Sequence, residues 1–200
     1  MQLVIASNNQ HKIDEISAIY AGLPLTILSA QRAGLTLEVA ETGTTFLENA
    51  ILKVSAFPDL PQTMYLADDS GLEVMALAGR PGVHSARYGG LGLSDAARSA
   101  ALLAELGNTA DRRAQFVAVC VLRLPNGSLH HARGTVTGTL LHSPSGSGGF
   151  GYDPLFIPDG YTESFAALSP AVKNQLSHRG RALAALRPAL GEYLQTGYTF

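Results

Sequence analysis

The seven residues Leu66-Ala67-Asp68-Asp69-Ser70-Gly71-Leu72 constrain this chain more than any other stretch. They follow an apolar approach, Met64 to Leu66, that reads as the end of a buried strand, and Gly71 is placed to turn the chain. Two adjacent carboxylates at such a point cost free energy unless a cation or a proton compensates them. A hard metal ion held by oxygen ligands is one solution, and a carboxyl raised in pKa to act as a base is another. An acidic turn facing water is the third. The company these residues keep decides among them.

With 200 residues, 46% of them hydrophobic and 15% charged, the chain has enough apolar material for one sizeable domain, taken as residues 1–200. A net charge of −2 gives no global attraction to nucleic acid or an anionic membrane, so an anionic ligand needs locally placed lysines, arginines and backbone N–H groups. The one cysteine, Cys120, sits in the apolar run Phe116–Leu122 and reads as a core thiol. Without a second cysteine, and without an apolar run of spanning length, a soluble cytoplasmic protein is expected.

Several segments carry polar side chains where elements begin. A short strand, Gln2–Ala6, leads through Ser7-Asn8-Asn9-Gln10-His11-Lys12 into a helix with Asn9 as N-cap. Strand, polar turn and first-turn lysine make a reasonable phosphate site, although no Gly-Lys pair exists for a Walker A loop. A second short strand covers Thr26–Leu28. Glu41-Thr42-Gly43 then precedes a capping box, Thr45 to Glu48, on a helix that Pro58 stops near Ala56. Lys53 of that helix is either a solvated residue or a substrate contact.

Pro81-Gly-Val-His-Ser-Ala-Arg87 forms a turn-rich loop, and Ser94 caps a helix ending at Gly107. Phe116–Leu124 and Ser128–Val136 flank Pro125-Asn126-Gly127, a hairpin signal. Gly146 to Gly151 matches the dinucleotide pattern of glycines, but Tyr152-Asp153-Pro154 follows where a helix must begin, so that reading fails. Phe150 and Tyr152 instead offer aromatic surface to a base. Lys173 precedes Ser177-His178-Arg179-Gly180, which opens a terminal helix that Pro188 is expected to break or kink, with a short helix restarting through Leu194. Alternating helices and strands with one long hairpin predict an α/β fold, a mixed central β-sheet flanked by helices, with two lobes around a cleft.

Six motifs stand in the order and spacing of one family: Ser7-x-Asn9-x-x-Lys12, Glu41-Thr-Gly with Glu48-Asn-Ala-x-x-Lys53, Ala67-Asp-Asp-Ser-Gly-Leu72, Pro81-Gly-Val-x-Ser-Ala-Arg87, Gly149-Phe-Gly-Tyr-Asp-Pro154, and Lys173 with Ser177-His-Arg-Gly180. Over nearly its whole length the chain resembles the RdgB-like inosine/xanthosine triphosphate pyrophosphatases. Asn8 and Asn174 depart from residues common in that family, and neither departure removes a chemically active side chain. The resemblance implies hydrolysis of ITP, dITP and XTP to monophosphate and pyrophosphate, dependence on Mg²⁺, and a homodimer. It makes Asp69 the general base and a metal-site carboxylate, with Glu41 and Asp68 helping to hold the ion. Ser7, Asn8, Asn9, Gln10, His11, Lys12, Lys53 and Ser70 would contact the triphosphate, and Phe150, Gly151, Tyr152, Asp153, Lys173, His178 and Arg179 the nucleoside and base.

Two rivals follow from the same residues. A Maf-like pyrophosphatase acting on modified pyrimidines is disfavoured by the Ser177-His178-Arg179 turn and the Gly-Phe-Gly-Tyr-Asp segment. A non-catalytic RNA- or nucleotide-binding module is disfavoured by Asp68-Asp69 and the lack of a basic stripe.

Overall fold

The structure is a computed structural model and describes residues 1–196, so the expected single domain over residues 1–200 extends four residues beyond it. Strands β1 (Gln2–Ile5), β2 (Thr26–Ser29), β3 (Thr63–Val74), β4 (Arg113–Arg123), β5 (Leu129–Leu140) and β6 (Phe156–Pro158) hydrogen-bond in the order β2-β1-β3-β4-β5-β6. β1 runs parallel to β2 and β3, while β6 runs antiparallel to β5, so the sheet is mixed. Helices α1 (Gln10–Ile19), α2 (Phe46–Ser55), α3 (Asp95–Leu106), α4 (Pro170–Leu176) and α5 (His178–Thr196) complete the α/β fold. Among the described residues no helix is long and apolar enough to cross a membrane.

The helix starts follow their capping residues. Extended Asn9 accepts from the Lys12 amide, Ser94 from the Ala97 amide, and Thr45 and Glu48 form both halves of the capping box. Each cap satisfies N–H groups that the first helical turn leaves without intrahelical partners.

The chain divides into two compact units. The first comprises Met1–Asp69, Ala118–Gly134 and the chain from Arg179. Its core joins Leu3 and Ile5 of β1, Ile16 and Tyr20 at α1, Met64 and Leu66 of β3, Cys120 of β4, and Leu183, Leu186 and Leu190 of α5. The second unit, Ser70–Val117 and Thr135–His178, packs Leu72, Leu102, Leu106, Phe116, Leu155, Phe156 and Phe165. Phe156 meets Phe116 edge-on at 4.8 Å between centroids, a favourable aromatic geometry.

Three expectations are corrected. β3 does not end at Leu66: it runs through the acidic pair and Gly71 to Val74, because the carboxylates are neutralised in place and no turn is needed to expose them. β5 continues four residues past Val136, and the short β6 pairs with its end. Lys173 precedes the terminal helix as expected, and itself sits in a short helix, α4, which Ser169 caps. α5 continues through Pro188. Proline removes one backbone hydrogen bond there, but Leu183 and Leu186 before it and Leu190 and Leu194 after it join one core, which holds the helix together.

At Gly138 of β5 a Cβ would lie 2.2 Å from the Ile157 carbonyl oxygen and 2.7 Å from Phe156 Cζ. The β5–β6 pairing therefore requires glycine. Gly138→Ala should destabilise the protein by about 1–3 kcal/mol, as overpacking does, measured by urea denaturation. Unchanged stability would show that β6 can move aside at no cost.

Candidate active site

The polar turn after β1 is folded by its own side chains. Ser7 Oγ accepts from the Asn9 amide at 3.1 Å, and Asn9 Oδ1 accepts from the Lys12 amide at 3.3 Å. Asn8 Nδ2 donates to the Leu37 carbonyl at 3.0 Å, and Gln10 Nε2 donates to Asp14 at 2.6 Å. Asn8, Asn9, Gln10 and His11 are exposed, so solvent reaches this helix start. Lys12, the fourth residue after Asn8, instead sends its ammonium back to Asp68 Oδ1 at 2.5 Å.

Asp68 is closed by two cations. Its other oxygen accepts from Arg179 Nε at 3.1 Å, and the same guanidinium pairs through Nη1 with Glu15. Asp69, next along β3, has a different neighbour. Lys53 Nζ lies 2.7 Å from Asp69 Oδ1, 3.0 Å from Glu41 Oε1 and 3.3 Å from the Asp68 carbonyl. Asn49, one helical turn before Lys53, donates to Asp69 Oδ2 at 3.3 Å. Asn49 Oδ1 also accepts from the Gly43 amide at 2.8 Å, and a Cβ on Gly43 would lie 2.6 Å from it. Gly43 thereby lets the Glu41 segment pack onto the start of α2.

The two aspartates are electrostatically opposite. Burial alone would raise Asp68, but the Arg179 guanidinium and the Lys12 ammonium outweigh it and hold the carboxyl far below the usual range. For Asp69, burial prevails over the Lys53 pair, Glu41 adds repulsion, and the pKa is raised. Lys53 loses by burial and gains more from Asp69 and Glu41, so it stays protonated. Three cations thus face four carboxylates, with Asp69 and Glu41 sharing one ammonium.

That shared cation bears on the expected ion. Glu41 and Asp69 supply hard oxygen donors with surplus negative charge, a set that fits Mg²⁺ completed by phosphate oxygens and water. Asp68 is paired differently, through Oδ1 with Lys12 and through Oδ2 with Arg179, while the Asp69 oxygens take Lys53 and Asn49. Among the described residues no three His, Cys, Asp or Glu side chains converge as a metal group. Of the expected trio, Glu41 and Asp69 share the Lys53 ammonium, while Asp68 faces Lys12 and Arg179.

A second constellation lies in the unit containing residues 135–178. Lys173 Nζ pairs with Asp153 Oδ2 at 2.5 Å and sits 4.9 Å from the centre of the Phe150 ring. Asp153 Oδ2 also accepts from the Phe150 amide at 2.8 Å. Gly149, at φ +70°, makes this possible, since a Cβ there would lie 2.2 Å from that same oxygen. Phe150 and Gly151 are half-buried. Tyr152 is buried, and its hydroxyl donates to the Ser85 carbonyl at 3.0 Å, so it braces the segment and offers no open ring face. His178 is buried and stacks on Phe116 at 4.8 Å and 10°. Ser70, half-buried, follows Asp69 on β3.

The structure therefore brings Lys12, Glu41, Lys53, Asp68, Asp69 and Arg179 together, and separately Phe150, Asp153 and Lys173. His178 and Arg179, expected to act as one turn, have separate partners. Reasoning from sequence missed Glu15 and Asn49 as members. Both carried a signal: Glu15 follows Lys12 by three residues and Asn49 precedes Lys53 by four, so each pair shares a helix face.

Known proteins resemble the chain over nearly its whole length. The model of the Ham1 family matches residues 3–189. A dITP/XTP pyrophosphatase of Deinococcus deserti is 48% identical over 188 residues, covering 94% of this chain and 88% of its relative. One from Geobacter sulfurreducens is 46% identical, covering 95% and 96%. Among solved structures, the Ham1 protein of Staphylococcus aureus superposes with a TM-score of 0.84 at 42% identity, covering 96% of this chain and 99% of that one.

Replacing Asp68 with Asn would leave Lys12 and Arg179 without their shared anion, and the expected loss of stability is about 3–5 kcal/mol. The sign with pH follows from the depressed pKa. Asp68 stabilises fully above its unfolded value of about 3.9, and that contribution fades as pH falls below it. Urea melts between pH 6 and pH 2 should therefore show a shallower acid decline for Asp68→Asn than for the parent. Parallel declines would remove Asp68 as the acid-sensitive counter-ion.

Proposed function

The chain belongs to the Ham1 family, and from that premise we propose that it is one nucleoside triphosphate pyrophosphatase domain acting on ITP, dITP and XTP. Relatives named dITP/XTP pyrophosphatase match it along almost their entire length, which supports this substrate class. The observation that carries the chemistry is the pairing of a raised carboxyl, Asp69, with the buried ammonium of Lys53 and the Glu41 carboxylate.

Water attacks the α-phosphorus, the bond between that phosphorus and the bridging oxygen to the β-phosphate breaks, and pyrophosphate leaves with the electron pair. Asp69, its pKa raised by burial, accepts the proton from the attacking water. Lys53 and Lys12 would offset the charge that grows on the departing pyrophosphate, and the solvent-exposed start of α1 favours an anion. Mg²⁺, held by Glu41 and Asp69, would neutralise phosphate charge when bound. Phe150, with Lys173 and Asp153 behind it, presents a ring face and charged groups to the nucleoside.

Hypoxanthine and xanthine carry a 6-oxo acceptor where adenine carries an amino donor. Donors that match the oxo group are left unpaired by ATP, a mismatch of several kcal/mol. Arg179 enters this reading as the residue that sets Asp68 and Lys12, since its guanidinium pairs with Asp68 and Glu15. The resemblance also supports a homodimer working on the cytoplasmic nucleotide pool.

Asp69→Asn should lower kcat for ITP by about 10²–10⁴-fold while the protein stays folded, because an amide cannot take the proton. The raised pKa of Asp69 also sets a sign: kcat/KM should rise with pH through a midpoint above the ordinary aspartate value of about 3.9. Product analysis must find pyrophosphate with monophosphate. Orthophosphate as product would overturn the bond assignment, and a fully active Asp69→Asn enzyme would remove the base.

A further inference from the structure

The segment Gly149-Phe150-Gly151 contains two residues at positive φ, +70° at Gly149 and +62° at Gly151. Such a backbone is intrinsically free to take other conformations. Something must select the one that presents Phe150. Two amides of the segment and that of the preceding Gly148 are held. The Gly148 amide donates to the Ala166 carbonyl at 2.9 Å, and the Phe150 amide donates to Asp153 at 2.8 Å. The third, that of Gly151, donates to Asp95 Oδ2 at 2.6 Å.

Asp95 is the most distant in sequence of the three acceptors and the one on a long helix. Asp153 lies three residues from Phe150, close by in the chain, and is itself held by Lys173 of the seven-residue α4. Asp95 lies 56 residues away at the first turn of α3, a twelve-residue helix whose Leu102 and Leu106 are buried in the core of this unit. Its carboxylate is favoured at a helix N-terminus. It is also aimed: Arg98 Nη1 lies 3.1 Å from Asp95 Oδ1, and Arg98 Nη2 donates to the Leu93 carbonyl at 2.6 Å. One carboxylate oxygen is thus fixed by a largely buried guanidinium while the other holds Gly151.

We propose that Asp95 is a positioning residue for nucleobase binding, fixing the Gly151 amide to α3 so that Phe150 is presented in one orientation. This rests on the reading of Phe150 as a substrate contact. Asp95 touches no reacting atom, so its loss should fall on KM and spare the chemistry. The rest of the Pro81–Arg87 motif serves the same segment, since the Ser85 carbonyl accepts from Tyr152 and Ser85 Oγ accepts from the Leu72 amide of β3 at 2.8 Å.

The test uses the full-length protein with ITP and Mg²⁺, comparing Asp95→Ala, Asp95→Asn and Phe150→Ala with the parent. Asp95→Ala should raise KM about three- to tenfold, the size expected for one charge-assisted hydrogen bond in partly exposed surroundings, with kcat within about twofold. Asp95→Asn, whose amide oxygen can still accept from Gly151, should recover most of that loss. Amide hydrogen exchange over residues 149–152 should speed up in Asp95→Ala and much less in Asp95→Asn. Unchanged exchange in Asp95→Ala would overturn the positioning claim, as would loss of kcat and KM together without rescue by Asn. A Phe150→Ala enzyme with parental KM would instead overturn the reading of Phe150, and the exchange result would still decide whether Asp95 holds the segment. If Asp95→Ala does not fold, Asp95→Asn and Arg98→Lys carry the comparison, with weaker aim of the carboxylate and intermediate KM expected.

Discussion

Two neighbouring carboxylates buried within one β-strand must be neutralised, and this requirement organises the first unit. Successive side chains on a strand point to opposite faces, so a single cation cannot serve both. Asp68 meets Lys12 and Arg179, brought by α1 and the start of α5, while Asp69 meets Lys53 from α2. Three helices are thus tied to β3 by charge as well as by apolar packing. Because removing either partner of a buried pair costs several kcal/mol, these contacts also fix where each helix begins relative to the strand.

The division of labour between the aspartates follows from that geometry. Asp68, paired with two cations, cannot take a proton near neutral pH. Asp69 shares one ammonium with Glu41 and keeps a raised pKa, which suits a proton acceptor. Environments that push two like groups apart are a general device for assigning acid–base roles. Here a single peptide bond separates them.

Much of this was legible in the sequence. The caps at Asn9, Thr45 and Ser94 and the strand cores announce themselves through local rules, and so do the elements they bound. The spacing of Asn49 to Lys53 was visible too, but not its target. What local rules could not reach were pairings between distant segments. Nothing near Asp68 says that Arg179, 111 residues away, will neutralise it, so the acidic pair read as a strand end. Tyr152 read as an open ring for the same reason, since its partner Ser85 lies 67 residues away. Pro188 failed as a helix breaker because tertiary burial on both sides outweighed one lost hydrogen bond.

The split between the two aspartates can be measured directly. Carbon-13 labelling of the aspartate carboxyls, with assignment by Asp68→Asn and Asp69→Asn, allows both to be titrated by NMR in one ion-free sample. The account predicts that Asp69 titrates above the ordinary aspartate value of about 3.9, while Asp68 stays ionised down to the acid limit of the folded protein. Joint titration of both near that ordinary value, or a reversed order with Asp68 above Asp69, would contradict it.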